Sequence, residues 1–399
     1  MRRKKLSLEA EWDKLESASS TANNVKDWHR WATGFAERPM LQIETPGKAV
    51  QRMRWGITLS LLAIACGATE EPGASCPVPK AGVPEGSGPI TYSGMTSGQN
   101  GTCVVASNGT VQCWEYGHQG EASEVSEVTN ARRVVVGDDR LCASRDGGSV
   151  VCWTDAGPRK EVHGLCGATE LAAGHLLTCA VATRGEVLCE GLVTGLRSGY
   201  SEDVLRIPDV TGATELATGP NGYTCALLEE GSVTCWGGGP RPEDRPGVEP
   251  APISEISGAL AIAGSEGFDV CALLADQSVS CWNPSTAPVP VEGLSQVTSL
   301  SVGPRHGCAS LSDGTVRCWG ANSYGELGNG TQTDSNVAVQ VEQLEGVGEV
   351  SVGTRGSPDM GFSCALRTEG SVACWGAKTQ ITATGDWIAS STPVSMRLP

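Results

Sequence analysis

Seventeen cysteines constrain this chain more than any other feature, because fourteen of them form pairs ten positions apart. The seven pairs are Cys103/Cys113, Cys142/Cys152, Cys179/Cys189, Cys225/Cys235, Cys271/Cys281, Cys308/Cys318 and Cys364/Cys374. In every pair a valine stands eight residues after the first cysteine, and in six pairs glycine occupies the sixth position. Tryptophan follows the second cysteine in six pairs. These coincidences indicate an internal repeat with a mean period of about 43 residues.

The spacing within a pair predicts a β-hairpin with a cross-strand disulfide. In residues 308–318 a three-residue loop closed by Gly314, in the left-handed region, places Cys308 directly opposite Cys318. Opposed residues of an antiparallel pair are close enough for a disulfide. Zinc is the competing interpretation, but each hairpin offers two sulfurs and no regular histidine. We therefore expect seven disulfides, one per repeat, each contributing about 2–3 kcal/mol.

Further strand signals flank each hairpin. Upstream, short runs such as RRVVVG (132–137) and TELATG (214–219) end in glycine, and downstream some copies carry a Pro-Val segment such as APVPVEGL (287–294). Each repeat therefore holds about four strands, and four-stranded units of this period are typical of propeller blades. We expect an all-β fold, a seven-bladed β-propeller of short four-stranded blades over residues 89–399, preceded by a signal and tether region.

The region before the repeats has the pattern of an export signal. Residues 53–65 combine a positive start with a ten-residue apolar run, which is typical of a signal peptide. The run ends at Ala65-Cys66-Gly67, similar to a bacterial lipobox, so we predict lipidation of Cys66 and a lipid-anchored location in the cell envelope. Ordinary secretion is the alternative. Residues 1–52 are interpreted as a leader outside the mature protein, either because translation begins at Met53 or because they form an unusually long n-region of the signal. Residues 66–88 are interpreted as a Gly/Pro-rich tether.

The charge of the chain and its motifs limit the function classes. Forty-five acidic residues against 29 Lys and Arg give a formal net charge of −16, which disfavours nucleic acid as a partner. A P-loop, a Gly-x-Ser-x-Gly elbow, a His-Glu-x-x-His motif and an Asp-rich calcium loop are all missing from the sequence. We expect no cofactor and no metal, and a binding function is favoured while catalysis stays open.

The sixth copy carries a family resemblance. Residues 307–331, GCASLSDGTVRCWGANSYGELGNGT, resemble the repeat of the regulator of chromosome condensation family, with Glu326 where the family usually has Gln. The resemblance implies a seven-bladed propeller over residues 89–399. It also implies that His306, at a structural position of the family repeat, makes an inter-blade hydrogen bond. The other copies are eroded, and the cysteine pair looks like the addition of exported bacterial members.

Variation in loop length suggests a binding surface. Loops after the first and third strands of a blade emerge on one face, and three of them are extended, at 237–252, 320–336 and 354–363. Insertions on one face often mark a binding site, although neutral drift of exposed loops explains them equally well. The candidate binding-face residues are Arg355, Met360, Phe362, Arg241, Arg245 and Tyr324.

The sequence therefore favours an exported, monomeric scaffold that binds a protein or a glycan through this face. One alternative is an enzyme acting on envelope polysaccharide, which a group of carboxylates with His or Arg at the channel mouth would favour. The other, implied by the family resemblance, is guanine-nucleotide exchange on a GTPase, which requires the cytoplasm and reduced cysteines. The remaining Cys76 and Cys166 either bridge the tether to the ring or stay free.

Overall fold

The computed structural model describes residues 92–99, 101–115, 122–126, 128–137, 140–154, 160–162, 164–174, 177–191, 201–219, 222–238, 250–265, 269–354, 357–381 and 387–396. All of them belong to one compact unit, residues 68–399. Within these ranges the chain forms 28 strands and no α-helix. The strands make seven four-stranded sheets, each antiparallel and built from strands consecutive in sequence. The predicted seven-bladed β-propeller is confirmed, whereas the leader, the signal peptide and the tether lie outside the described residues.

The sheets are numbered as blades in chain order, and the first strand of each is called its inner strand. Blades 1 and 2 comprise β1 (Tyr92–Ser97), β2 (Gly101–Ala106), β3 (Val111–Glu115), β4 (Ser123–Glu124), β5 (Ala131–Val136), β6 (Leu141–Arg145), β7 (Val150–Trp153) and β8 (Lys160–Glu161). Blades 3 and 4 comprise β9 (Glu170–Gly174), β10 (Leu177–Val181), β11 (Val187–Gly191), β12 (Ser201–Arg206), β13 (Ala213–Thr218), β14 (Thr224–Leu228), β15 (Val233–Trp236) and β16 (Ala251–Pro252). Blades 5, 6 and 7 comprise β17 (Ala259–Gly264), β18 (Val270–Leu274), β19 (Val279–Asn283), β20 (Thr286–Pro290), β21 (Val297–Val302), β22 (His306–Leu311), β23 (Val316–Gly320), β24 (Ser335–Gln340), β25 (Val347–Thr354), β26 (Gly361–Arg367), β27 (Val372–Ile381) and β28 (Trp387–Met396).

The predicted cysteine pairs join the second and third strands of every blade, and in each pair the two cysteines lie directly opposite each other. The S–S distances of 2.03–2.14 Å are compatible with a disulfide in each blade. In order from blade 1 to blade 7 the pairs are Cys103–Cys113, Cys142–Cys152, Cys179–Cys189, Cys225–Cys235, Cys271–Cys281, Cys308–Cys318 and Cys364–Cys374.

The hairpin turns between these strands follow the predicted geometry. Gly314 closes its turn with a φ of 80°, as the spacing predicts. In blade 5 the residue in this position is Gln277, which adopts a φ of 65° without being glycine. The left-handed position is therefore a property of the turn and is kept even where the sequence departs from glycine.

Apolar packing between neighbouring blades closes the ring. One cluster joins Met95, Val104 and Trp114 of blade 1 to Phe362 and Cys374 of blade 7. The inner strands β1 and β25 also pack against each other. Because both sheets consist of consecutive strands, neither blade takes a strand from the other end of the chain. Side-chain and inner-strand contacts therefore join the first blade to the last.

We call the side carrying the seven hairpin turns the turn face; these turns are 107–110, 146–149, 182–186, 229–232, 275–278, 312–315 and 368–371. Here a backbone N–H at or just before the start of an inner strand donates to the carbonyl oxygen of the left-handed turn residue in the preceding blade. The six pairs are Ala131 to Gly109, Ala168 to Gly148, Ala213 to Gly185, Ala259 to Gly231, Val297 to Gln277 and Val347 to Gly314. A Cβ on Gly185 would lie 2.6 Å from Cα of Gly212, so the close approach requires glycine.

Candidate functional site

The opposite side carries the loops after the first and third strands and is called the loop face. A cavity of about 710 Å³ opens there between blades 5, 6 and 7. Residues that line it include Asp269, Arg305, Trp319, Asp334, Asn336 and Asp359. Loops 320–336 and 354–363, which the sequence predicts on one face, both contribute to this lining. Among the described lining residues the charged groups are three aspartates against one arginine, so this part of the cavity is predominantly acidic.

Each of these aspartates is held by one partner. Arg305, in the first loop of blade 6, forms an ion pair with Asp359 in the first loop of blade 7. Asp334 accepts a hydrogen bond of 2.8 Å from the backbone N–H of Asn322. The amide Nδ2 of Asn283 donates to Asp269 over 3.1 Å. A carboxylate offers about four acceptor positions, so these contacts orient the oxygens and leave acceptor capacity toward the cavity.

The wall supplied by loop 321–334 is organised by Asn322, whose side chain is fully buried. Its Nδ2 donates to the carbonyl oxygens of Thr331 at 3.2 Å and Thr333 at 3.0 Å. Its Oδ1 accepts from the backbone N–H of Leu327 at 2.9 Å. One amide therefore crosslinks the two ends of the loop, because it satisfies several backbone groups at once. This wall is formed before any ligand arrives.

One tryptophan of the repeat differs from the others. Five hairpin tryptophans are at most 3% exposed: Trp114, Trp153, Trp236, Trp282 and Trp375. Trp319 is only half-buried and lines the cavity. Its ring lies against Gly307, where a Cβ would approach Cζ2 of the indole to 2.4 Å. The cavity thus combines accessible indole surface with carboxylates.

The fourteen paired cysteines lie in the interior of the blades and have a structural position. Thirteen of them are at most 5% exposed: Cys103, Cys113, Cys142, Cys152, Cys179, Cys189, Cys225, Cys235, Cys271, Cys308, Cys318, Cys364 and Cys374. Cys281 differs, because it is half-buried and packs at the edge of the apolar cluster between blades 5 and 6. Its partner Cys271 lines the loop-face cavity. The paired cysteines therefore support the walls of the site and offer it no thiol chemistry.

Two family models match the part of the chain that forms this wall. Residues 297–326 and 313–357 match the regulator of chromosome condensation (RCC1) repeat. They comprise blade 6 and the beginning of blade 7. The matched repeat and the seven four-stranded blades agree with each other. The chain is an RCC1-repeat propeller.

Solved structures share this propeller fold. The structure of Kap60 bound to yeast RCC1 (Prp20) matches with a TM-score of 0.59 and 16% identity, covering 76% of this chain and 85% of that one. Prp20p from Saccharomyces cerevisiae gives a TM-score of 0.59 and 17% identity, covering 77% and 87%. The structure of human WBSCR16 matches with a TM-score of 0.54 and 16% identity, covering 70% of this chain and 87% of that one. At these identities the likeness shows the fold alone.

In the RCC1-repeat propeller, His306 makes the inter-blade hydrogen bond that the family resemblance implies. Its Nε2 lies 2.9 Å from Oγ of Ser363 in blade 7. Burial lowers the pKa of His306 to about 4, against the opposing effect of a hydrogen bond to the Phe362 backbone. Ser363 also donates to the carbonyl oxygen of Glu326 at 3.0 Å. Although a Ser–His pair can serve catalysis, both side chains are buried, so this pair is structural.

The inner strands of all seven blades surround a central channel of about 240 Å³. Its lining is rich in small hydroxyl side chains such as Thr96, Ser301 and Ser351. Toward the loop face the blades approach closely, and a Cβ on Gly353 would lie 2.8 Å from the carbonyl oxygen of Gly98. A small polar cavity of this kind suits water better than a large ligand.

Four ionisable side chains occupy one inner-strand position in different blades, two residues before the partner of the first hairpin cysteine. They are Arg133, Glu170, Glu215 and Glu349. Nη1 of Arg133 lies 2.8 Å from Oε1 of Glu170. Glu215 accepts a hydrogen bond of 2.8 Å from the Ile262 backbone in the next blade. Glu349 accepts one from the Met95 backbone, across the junction between the last blade and the first.

These three carboxyl groups hold protons more tightly than usual. Burial raises the pKa of Glu170 to about 7, although attraction to Arg133 lowers it in part. Burial also raises the pKa of Glu215 and of Glu349, against hydrogen bonds from backbone N–H groups. A carboxyl with a pKa near 7 has a suitable acidity for proton transfer. The observed partners of the group, however, all belong to the joints between blades.

The predicted binding-face residues have mixed outcomes. The prediction that Phe362 lies on the binding face is wrong, because its side chain is fully buried in β26, at the junction of blades 7 and 1. Tyr324 and Met360 lie half-buried in loops of the loop face, and neither is among the residues that line the cavity, although Met360 directly follows Asp359. The other three lie outside the described residues: Arg355, Arg241 and Arg245. The cavity residues Asp269, Arg305 and Asp334 were not predicted from the sequence, since their proximity depends on contacts between blades.

Three further cysteines lie outside the repeat pairs. Cys166 is disulfide-bonded, while Cys66 and Cys76 lie outside the described residues, so lipidation of Cys66 stays a prediction. Across the described ranges, no group of three or more His, Cys, Asp or Glu side chains is arranged to hold a metal ion. The same ranges contain no helix that is long and apolar enough to cross a membrane.

Proposed function

We propose that this RCC1-repeat propeller is an exported scaffold that binds a protein partner through its loop face. The observation that carries the proposal is the cavity between blades 5, 6 and 7, whose walls are already organised by Asn322 and by the Arg305–Asp359 ion pair. Preformed clefts with a few oriented polar groups are typical of binding sites. The buried Ser–His pair offers no accessible nucleophile, which favours recognition over catalysis.

Two further observations support the compartment and the partner class. Fourteen cysteines placed for disulfides favour an oxidising location, such as the cell envelope, over a reducing cytosol. A solved structural neighbour, yeast RCC1 (Prp20), was captured bound to Kap60, and Prp20p from Saccharomyces cerevisiae has binding properties to Gsp1p and histones. A protein partner for this chain follows by analogy.

A crosslinking pull-down from the cell envelope tests the loop face. Asn336→Trp places a bulky, uncharged side chain at the exposed cavity wall, and Gln340→Trp is a matched control in the same strand, away from the cavity. We expect Asn336→Trp to lose the crosslinked partner while Gln340→Trp recovers as much as the wild type. Equal recovery by both variants contradicts the loop-face proposal. Recovery of a small GTPase would instead support the exchange activity implied by the family.

Attachment to the membrane is tested separately. We propose that Cys66 carries the lipid, because it follows a ten-residue apolar run that ends in Ala65. Cys66→Ala should abolish incorporation of a radiolabelled fatty acid and release the protein from the membrane fraction. Unchanged labelling contradicts the anchor and leaves plain secretion, which the same fractionation detects as protein in the medium.

The ionisable group around the channel favours a second candidate, an enzyme acting on envelope polysaccharide. Its supporting observation is Glu170, with a pKa of about 7 beside Arg133. Release of reducing ends from purified envelope polysaccharide would reveal this activity, and Glu170→Gln should abolish it. If the wild-type protein releases none, the enzyme candidate fails and the scaffold proposal is unaffected.

A further inference from the structure

The loop-face cavity has a chemistry that selects its occupant. Asp269, Asp334 and Asp359 stand against Arg305, and Arg305 is already paired with Asp359. A positively charged group entering the cavity would therefore meet carboxylate oxygens without displacing an existing counter-charge. Among the described lining residues, an anionic group would face three aspartates and one arginine that is already paired. Charge complementarity thus favours a cation.

The accessible indole points to the same class of ligand independently. Trp319 is the one hairpin tryptophan among the six that is only half-buried, and it lines this cavity. The face of an indole attracts ammonium and guanidinium groups through its quadrupole. Its apolar surface also suits the methylene stem of a long basic side chain. Carboxylates beside an accessible indole match the side chains of arginine and lysine.

We propose that the cavity receives an arginine or lysine side chain of the protein partner, stacked on Trp319 and hydrogen-bonded to Asp269 and Asp334. The proposal rests on the scaffold function above and specifies its recognition chemistry. The cavity has a volume of about 710 Å³, and its walls come from loops of three blades. The net charge of −16 would add long-range attraction for a basic partner.

The test uses the blocked pentapeptide Gly-Gly-Arg-Gly-Gly and its Gln counterpart, titrated onto the full chain and followed by saturation-transfer NMR. The variant Asp269→Asn/Asp334→Asn removes two charges, while Asn Oδ1 can still accept the hydrogen bonds from Asn283 and Asn322. The control Asp276→Asn/Asp313→Asn makes the same charge change in two turns of the turn face, whose carboxylates accept from Ser278 and Thr315.

We expect the Arg peptide to bind the wild type and the control equally and the cavity variant about tenfold more weakly, with no binding of the Gln peptide. Equal binding of the two peptides, or equal binding to the cavity variant and the control, overturns the proposal. Displacement of the Arg peptide by a neutral oligosaccharide at lower concentration also overturns it. If the cavity variant retains the pull-down partner that Asn336→Trp loses, the side-chain inference fails while the scaffold function stands.

Discussion

The two faces of the propeller derive from one repeat but differ in how much they vary. On the turn face every hairpin turn has four or five residues, and six of the seven have a positive-φ glycine. On the loop face the connections range from two residues at 284–285 to fourteen at 321–334. The turn face repeats one backbone hydrogen bond between six pairs of neighbouring blades. The loop face combines side-chain contacts such as Arg305–Asp359 with single backbone hydrogen bonds such as that from Gly330 to Ser391.

The two faces therefore have different roles within one repeat: the turn face stabilises the ring, and the loop face is free to vary for binding. Backbone hydrogen bonds between turns need close approach and therefore glycine, so the turn face tolerates little change. The described loops do not repeat one such contact from blade to blade, so their lengths and residues vary without loss of the ring. We expect substitutions on the turn face to change stability and those on the loop face to change binding.

The largest expected effect comes from a methyl group at a turn. Gly185→Ala places a Cβ 2.6 Å from Cα of Gly212 in the next blade, at a φ of 69°. An alanine in the left-handed backbone conformation costs about 1–2 kcal/mol, and the overlap of its Cβ with Gly212 adds to this cost. We therefore expect the free energy of unfolding to fall by about 2–4 kcal/mol. Urea unfolding followed by tryptophan fluorescence measures it.

The matched control is Gly330→Ala on the loop face, with a φ of 74°, where the nearest atoms belong to the flexible carboxylate of Glu342. It incurs the same backbone cost of about 1–2 kcal/mol and little more. Equal destabilisation by the two variants would contradict the distinction between the faces.

The next effect concerns the covalent link beneath each turn. The double variant Cys308→Ala/Cys318→Ala removes the cross-strand bond of blade 6 and should cost about 2–3 kcal/mol. Mass measurement after alkylation without reduction should show no free thiol among the fourteen repeat cysteines of the wild type. Many labelled thiols in the folded protein would rule out the disulfide interpretation, and an unchanged unfolding midpoint in the variant would rule out its contribution to stability.

The turn glycines and the paired cysteines belong to the part of the fold that the sequence predicts. The position of Gly314, the register of Cys308 against Cys318 and the number of strands follow from spacing within about forty residues, so they were predictable. The cavity was not predictable, because Arg305 and Asp359 are 54 residues apart in sequence and come into contact only when blades 6 and 7 pack together. Nothing local distinguishes Trp319 from the five buried tryptophans at the same repeat position, since its exposure depends on neighbouring loops.

A smaller effect is expected from the buried carboxyl of Glu170 near the turn face. Its pKa in the folded protein, about 7, lies above the ordinary 4.5, so the folded state binds more protons between these values. The associated stability is complete at acidic pH and is lost as the pH rises through 7. As the pH rises from 5 to 8, the free energy of unfolding of the wild type should fall by about 2 kcal/mol relative to that of Glu170→Gln.

Thermal or urea unfolding of both proteins across this range measures the difference. Because His306 titrates in both proteins, its opposite contribution cancels in the comparison. Glu230→Gln is the control, since the hydrogen bond from Ser232 lowers the pKa of this exposed carboxyl and keeps it ionised above pH 5. A wild type whose stability runs parallel to that of Glu170→Gln would show that the inter-blade carboxyl is ionised throughout.

The smallest expected effect is a gain in stability at turn 275–278, the hairpin turn in which Gln277 replaces the left-handed glycine. Gln277 adopts a φ of 65°, and the hydrogen bond that it accepts from Val297 is 3.4 Å long, against 2.9–3.1 Å in the other five pairs. Its neighbour across the blade junction is Gln296, with a φ of 58°, where blade 4 has Gly212. Gln277→Gly should relieve the left-handed strain and stabilise the protein by about 0.5–1 kcal/mol, measured as a higher urea midpoint. The substitution enlarges the conformational freedom of the unfolded chain, which opposes the gain. A lower midpoint would therefore mean that the long hydrogen bond reflects the blade junction itself, and that the turn face tolerates side chains where both neighbours depart from glycine.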